Sequence, residues 1–265
     1  MKTKGLSSAL FGFLALSLSA QTSPLISLSG EPHHHLVLHN DYVNAYQVDV
    51  RPHDATVLHR HDYDYLQIGI GNAQLVAVVP GQPDSKRRVV DGELQFGLGG
   101  SVHLSRNDSE ADYRAVAVEF FQPQGQARNG CVAVIAGLPL NCPSAPVAAA
   151  RPGEFEQQLE FETDQIRVYR TRVLPHQNME IANLPHEELL VALDDVPLTF
   201  AGGEEPEKLL HPGAFVWIDR GAVARLINNQ SDQDVRLVVF VMKSLPGTKT
   251  SSVPETGASE VFTQR

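Results

Sequence analysis

Positive charge is scarce in this 265-residue chain. Lys and Arg number 21 against 31 Asp and Glu, for a formal charge of −10. That excludes a nucleic-acid partner, whose phosphates demand clustered Lys and Arg. The one basic cluster, Lys86-Arg87-Arg88, reads as three solvated charges in a loop. Long apolar runs are also scarce: after residue 20 no stretch approaches the ~20 apolar residues of a membrane span. No long segment carries a helical period. There is no nucleotide-binding loop, no Gly-x-Ser-x-Gly nucleophile and no His-Glu-x-x-His zinc-protease motif. Cysteine is limited to Cys131 and Cys142, with ten residues between them. In an oxidising compartment an even count predicts one disulfide, which a loop of this size makes worth about 2–3 kcal/mol. Two thiols alone would be an incomplete metal site.

The N-terminus has the parts of a secretory signal peptide. Lys2 and Lys4 precede an apolar run from Ala9 to Leu18, and Ser17, Ser19 and Ala20 supply small residues at its end. Residues 1–20 are expected to be removed, with cleavage after Ala20, which leaves an exported protein, periplasmic or secreted. Removal would take away two Lys and no acid, moving the formal charge from −10 to −12. No Cys follows the run to carry a lipid anchor.

What the chain has in quantity is strand signal. Segments such as 42–50 and 65–70 are rich in β-branched and aromatic residues, and Gly, Pro, Asn and Asp recur between them. Many short strands with regular turns predict an all-β sandwich or barrel. The chain also repeats itself at an offset of 121 to 123 residues. Tyr46, Val50, Pro52 and His53 match Tyr169, Val173, Pro175 and His176. Gly92 and Gly100 match Gly213 and Gly221. Ser109, Asp112, Arg114 and Val116 match Ser231, Asp234, Arg236 and Val238. Two copies of one β unit are therefore expected over 31–124 and 154–243. A linker over 125–153 holds both Cys, and a loose tail covers 244–265.

The histidines cluster in the first copy. Alternate residues of a strand face one way, so His59 and His61 aim at a common point with Arg60 turned away. The same parity carries Tyr63, Tyr65 and Gln67. His103 follows within Gly100-Ser-Val-His-Leu-Ser-Arg-Asn107. His33, His34, His35 and His39 read as surface or packing residues, and His53, His176 and His211 as turn residues beside Pro.

This pattern resembles the two short motifs of the cupin superfamily. In the first, His59 and His61 fit, Tyr65 stands at the Glu position, His53 at the leading Gly and Gly71 one residue before the closing Gly. In the second, Gly92, Gly100, His103 and Asn107 fit, with Leu98 in place of Pro. Both copies take part, so the chain looks like a bicupin, two double-stranded β-helix (jelly-roll) barrels in tandem. The second copy has lost the histidines. Ala182 and Leu184 stand for His59 and His61, Glu188 for Tyr65, and Ala224 or Arg225 for His103, while Gly213, Gly221 and Asn228 remain. His186 shares a face with Glu188, and a buried hydrogen bond is its simplest use. The second barrel is expected to be structural or to serve in dimerisation.

The resemblance implies a divalent transition metal on His59, His61 and His103, with Fe, Mn, Zn, Ni and Cu all suited to imidazole ligands. Three His with open positions is similar to the thiol and β-diketone dioxygenases of the superfamily, where Fe(II) binds substrate and O₂ together. Tyr65, Gln67 and Tyr63 would then face a small-molecule substrate or stand behind the ligands. Asp64 is an alternative carboxylate that strand parity points elsewhere. An isomerase is equally compatible, and so is a bicupin that binds a ligand without turnover. Exposed strand edges would allow a homodimer.

Overall fold

The structure, a computed structural model, describes residues 25–142, 155–200, 208–222 and 225–243. The expected signal peptide, the end of the linker, the tail and Ala224 lie outside these residues. The first repeat is built from β1 (Ile26–Ser27), β2 (His34–His39), β3 (Val43–Val50), β4 (His59–Arg60), β5 (Asp64–Ile70), β6 (Ala73–Val78), β7 (Ser85–Val89), β8 (Leu94–Gly97), β9 (Val102–Asn107) and β10 (Tyr113–Phe120). The second follows with β11 (Arg128–Asn129), β12 (Phe155–Glu162), β13 (Ile166–Val173), β14 (Asn178–Ile181), β15 (Glu188–Ala192), β16 (Val196–Phe200), β17 (Lys208–Leu210), β18 (Phe215–Ile218), β19 (Arg225–Asn228) and β20 (Val235–Met242). Among the described residues, no helix is long and apolar enough to cross a membrane.

Each repeat folds into two facing sheets. The first has the orders β1-β4-β9-β6-β7 and β2-β3-β10-β5-β8; the second has β11-β12-β13-β20-β15-β18 and β14-β19-β16-β17. The repeat read from the sequence is a repeat of structure. Strand β3 is matched by β13 at 123 residues, β10 by β20 at 122, and β8 by β18 at 121. Even the bulges recur: β2 slips past Val37 and β12 past Glu160. So do the left-handed turn positions. His53 and His176 have φ of 62° and 57°, and Gly92 and Gly213 have 74° and 86°.

Strands of the two inner sheets are apolar on both faces because each face meets a core. On β10, Val116, Val118 and Phe120 pack into a cluster that also holds Phe161, Val238 and Phe240 of the second repeat. Tyr113, Ala115 and Ala117 point into their own barrel. The two barrels therefore share one core. Polar contacts at its rim repeat with the same symmetry. Gln47 donates to the Gly213 carbonyl at 3.0 Å, and its counterpart Arg170 donates to the Gly92 carbonyl at 2.7 Å. Arg114 donates to the Pro212 carbonyl at 2.6 Å, and Arg236 reaches Asp91 at 2.8 Å.

Three details add to the expected layout. The first barrel begins before residue 31, because β1 pairs with β4. The described part of the linker packs into the fold: Asn129 pairs with Phe161, and Val134 is buried in the shared core. The two cysteines expected to form a disulfide are not bonded in this structure. Cys131 and Cys142 are free thiols that lie within hydrogen-bond reach of one another.

Candidate metal centre

The short strand β4 lies against β9, which puts His59 directly opposite His103. His61 follows two residues on and faces the same interior. The chain then turns through 61–63, and β5 returns on the facing sheet with Tyr65. One ligand nitrogen from each of His59, His61 and His103 lies within 4.8 Å of the others. Their rings are 4.7 to 5.3 Å apart. His59 and His61 are 1% and 2% exposed.

Burial fixes the protonation state. It pushes the His61 pKa down to about 2 and His103 to about 3, with the neighbouring imidazoles adding to the effect, and it lowers His59 as well. All three rings are therefore neutral lone-pair donors at physiological pH, the form a metal requires. The His59 tautomer follows from one contact. Its Nδ1 donates to the Val57 carbonyl at 2.8 Å, which leaves Nε2 as the acceptor, and Nε2 is buried with no hydrogen-bond partner. An unsatisfied buried acceptor beside two more imidazoles is the arrangement a cation would complete.

Three residues missed in the sequence support this cluster. Glu119 on β10 pairs with Tyr65 and points inward, with Oε1 at 3.7 Å from His61 Nδ1. Both atoms are buried without a hydrogen-bond partner, and burial raises the Glu119 pKa. A carboxylate there can accept the Nδ1 proton and turn the Nε2 lone pair toward a metal. The sequence signal was a lone acid inside the apolar run Ala115-Val-Ala-Val-Glu119-Phe. Glu31 is the second. Burial would raise its pKa, but hydrogen bonds from His34, His33 and the Val57 amide outweigh that and hold it near 2. Glu31 thus grips the backbone of the residue that orients His59. The third is His34, expected to be a surface or packing residue. Its buried ring lies 5.0 Å from that of His59, with Nδ1 held by Glu31 at 2.6 Å.

The residues expected around the ligands separate into two groups. Tyr65 stacks on His61 with ring centroids 3.7 Å apart and an interplanar angle of 12°. That ring lies across Gly97 on β8, where an added Cβ would come within 2.6 Å of three Tyr65 atoms. The substitution of Tyr for the Glu of the motif is thus matched by a glycine opposite. Gln67 also faces inward and donates to the Tyr113 hydroxyl. Tyr63 does not face the site. It is 40% exposed and packs on Phe121, because the turn after β4 breaks the strand alternation. Asp64 holds the Gly99 and Gln124 amides at 2.9 and 3.0 Å, away from the histidines. Asn107 is structural, its amide lying 2.8 to 3.2 Å from the carbonyls of Val50, Arg51 and Ala111. Its counterpart is Asn229, one residue beyond the expected Asn228, with the same contacts to Val173, Leu174 and Gln233.

A cavity of about 450 Å³ opens between the two sheets of the first barrel and reaches His103, Tyr65 and Gln67. A larger cleft of about 650 Å³, with Asp49, Asp54, Arg51 and Arg114 on its walls, touches none of the three ligands.

No family model matches the sequence, and no curated protein matches it. Solved structures do share its architecture. AerE from Microcystis aeruginosa aligns over 81% of this chain and 99% of its own, with a TM-score of 0.55 at 12% identity. Salicylate 1,2-dioxygenase from Pseudaminobacter salicylatoxidans aligns over 78% of this chain and 75% of its own, with a TM-score of 0.51 at 12% identity. At these identities the likeness is one of fold, and the two repeated barrels have the tandem architecture that the resemblance to bicupins implies.

Proposed function

We propose that this chain is an exported bicupin whose N-terminal barrel binds a divalent transition metal through His59, His61 and His103 and acts on a small metabolite as a metal-dependent dioxygenase or isomerase. The observation that carries the metal is the convergence of three buried, neutral imidazoles with His59 Nε2 left unsatisfied. A bound divalent metal would supply a Lewis acid beside the cavity. The chain does the rest. Val57 sets the His59 tautomer, Glu119 stands 3.7 Å from His61 Nδ1, Tyr65 covers one face of His61, and the two sheets shield the site from bulk water. The reaction class comes from the resemblance to three-His dioxygenases, and the likeness of fold to a salicylate 1,2-dioxygenase supports it.

The test is elemental analysis of protein purified without added metal, beside the double variant His59→Ala/His61→Ala. Wild type should carry metal in near-stoichiometric amount and the variant almost none. Equal metal in both would remove the proposal. Oxygen consumption by the loaded protein across candidate substrates then separates a dioxygenase from an isomerase or a ligand binder. The export part is read by N-terminal sequencing of the mature protein. A start at Gln21 supports it, and a chain retaining Met1 in the cytoplasm overturns it.

A further inference from the structure

The cavity beside the histidines carries a charge bias opposite to that of the chain. The protein is acidic overall, with a formal charge of −10, yet among the described residues no Asp or Glu lines this cavity. Among the described residues that line it, Arg87 is the one formally charged side chain. Read from the sequence, Arg87 belonged to a solvated basic loop. In the structure it lies on β7, paired with Leu75 of β6, and strand alternation turns it inward while Lys86 and Arg88 remain exposed. The sheet order β4-β9-β6-β7 puts Arg87 on the same wall as His59 and His103. Strands β7 and β9 are two strand spacings apart, roughly 10 Å, and Arg87 lies level with Asn107, four residues or roughly 13 Å along β9 from His103, so the long side chain has to reach back along the cavity, where its charge acts on Tyr65 and Tyr113.

Arg87 is oriented without being used up. Glu93 takes one of its donors, Nη2, at 3.0 Å, and the other Glu93 oxygen accepts the Val90 amide at 3.0 Å, so that carboxylate is anchored outside the cavity. The guanidinium keeps further N–H donors in the planar fork that matches a carboxylate. Gln67, Gln95 and Ser101 add neutral polar groups along the path to His103.

From this arrangement we infer that the cavity takes a small organic acid, its carboxylate on Arg87 and its far end at the histidine cluster. The inference rests on the function proposed above for the reacting end, whereas the carboxylate contact belongs to Arg87 alone. It names a substrate class of low molecular weight acids and excludes cationic and neutral sugars or amines as substrates.

The experiment is isothermal titration of the full-length mature protein with glutarate, 2-oxoglutarate and benzoate, set against glutaramide and benzamide. At least one acid should bind, at least tenfold more tightly than its amide. Arg87→Gln should weaken that acid at least tenfold while metal content stays at the wild-type level. Arg87→Lys, which keeps the charge and loses the fork, should fall between them, and it carries the test should the Gln variant fail to fold. No binding by any of the acids, equal binding of acid and amide, or an unchanged Kd in the substituted protein would each overturn the inference. Metal content is read separately by elemental analysis. A wild type without metal therefore defeats the proposed function, and the acid preference of Arg87 is still measured on the same sample.

Discussion

Asn107 in the first barrel and Asn229 in the second hold the same three-carbonyl turn, and His53 and His176 occupy the same left-handed position. At the histidine cluster the two barrels differ. Where the first places His34, Tyr65, Gln67 and Glu119 on interior-facing strand positions, the second places Gln157, Glu188, Leu190 and Val241. His103 becomes Arg225. The interior of the second barrel is filled by Met179, Ile181, Leu190, Leu198 and Ile227. The turns that shape a barrel are thus separable from the side chains that fill it. Backbone geometry can persist after the chemistry it once framed has gone, because the turns answer to backbone sterics and the interior answers only to packing and solvation.

The sharpest way to break the comparison is at the rim of the shared core. Gln47 and Arg170 occupy equivalent positions and donate to equivalent carbonyls. Arg170, however, also makes a two-pronged contact with Glu160, at 2.6 and 2.9 Å, and Glu160 is 1% exposed. Arg170→Ala leaves that carboxylate buried and unpaired and should cost about 3–5 kcal/mol. Gln47→Ala removes one neutral hydrogen bond and should cost about 1 kcal/mol. Chemical denaturation of both variants measures the difference. Equal losses would mean that the symmetric carbonyl contact, and not the buried ion pair, carries the energy.

A second prediction tests the shared framework. Asn107→Ala and Asn229→Ala each strip the donor from buried carbonyls, and each should cost about 2–3 kcal/mol. Because the barrels share one core, both variants should still unfold in a single transition. If Asn229→Ala melts the second barrel separately, the shared core is not a cooperative unit.

What could be read from sequence follows the same division. Turns and strand alternation depend on neighbours in the chain, so the repeat, the two barrels and the convergence of His59 with His61 and His103 were legible. The supporting residues depend on partners far away in sequence. Glu31 meets Val57 across 26 residues, Glu119 meets His61, and Arg87 turns inward only because β7 pairs with β6. Tyr63 failed for a related reason: alternation holds inside a strand, and a turn intervenes after Arg60.

The smallest expected effect concerns Glu188, which sits where Tyr65 stacks on His61 in the first barrel. Burial pushes its pKa up to about 7, well above the ordinary carboxylate range. Below the unfolded value the group is neutral in both states and costs nothing. Between that value and about 7 the unfolded chain releases its proton while the folded chain keeps it, so stability falls as pH rises. Above 7 the full penalty is present, about 2 kcal/mol after allowance for partial solvation. Glu188→Gln removes a titrating group and keeps its shape. The stability of the variant relative to wild type should therefore grow by about 2 kcal/mol between pH 5 and pH 8. Tyr65→Phe, at the equivalent position, should show no such pH dependence, since a phenol does not ionise in that range. Parallel pH profiles for Glu188→Gln and wild type would show that the second barrel lets water reach its carboxylate. Its interior would then be less sealed than the apolar packing around Leu190 and Ile227 implies.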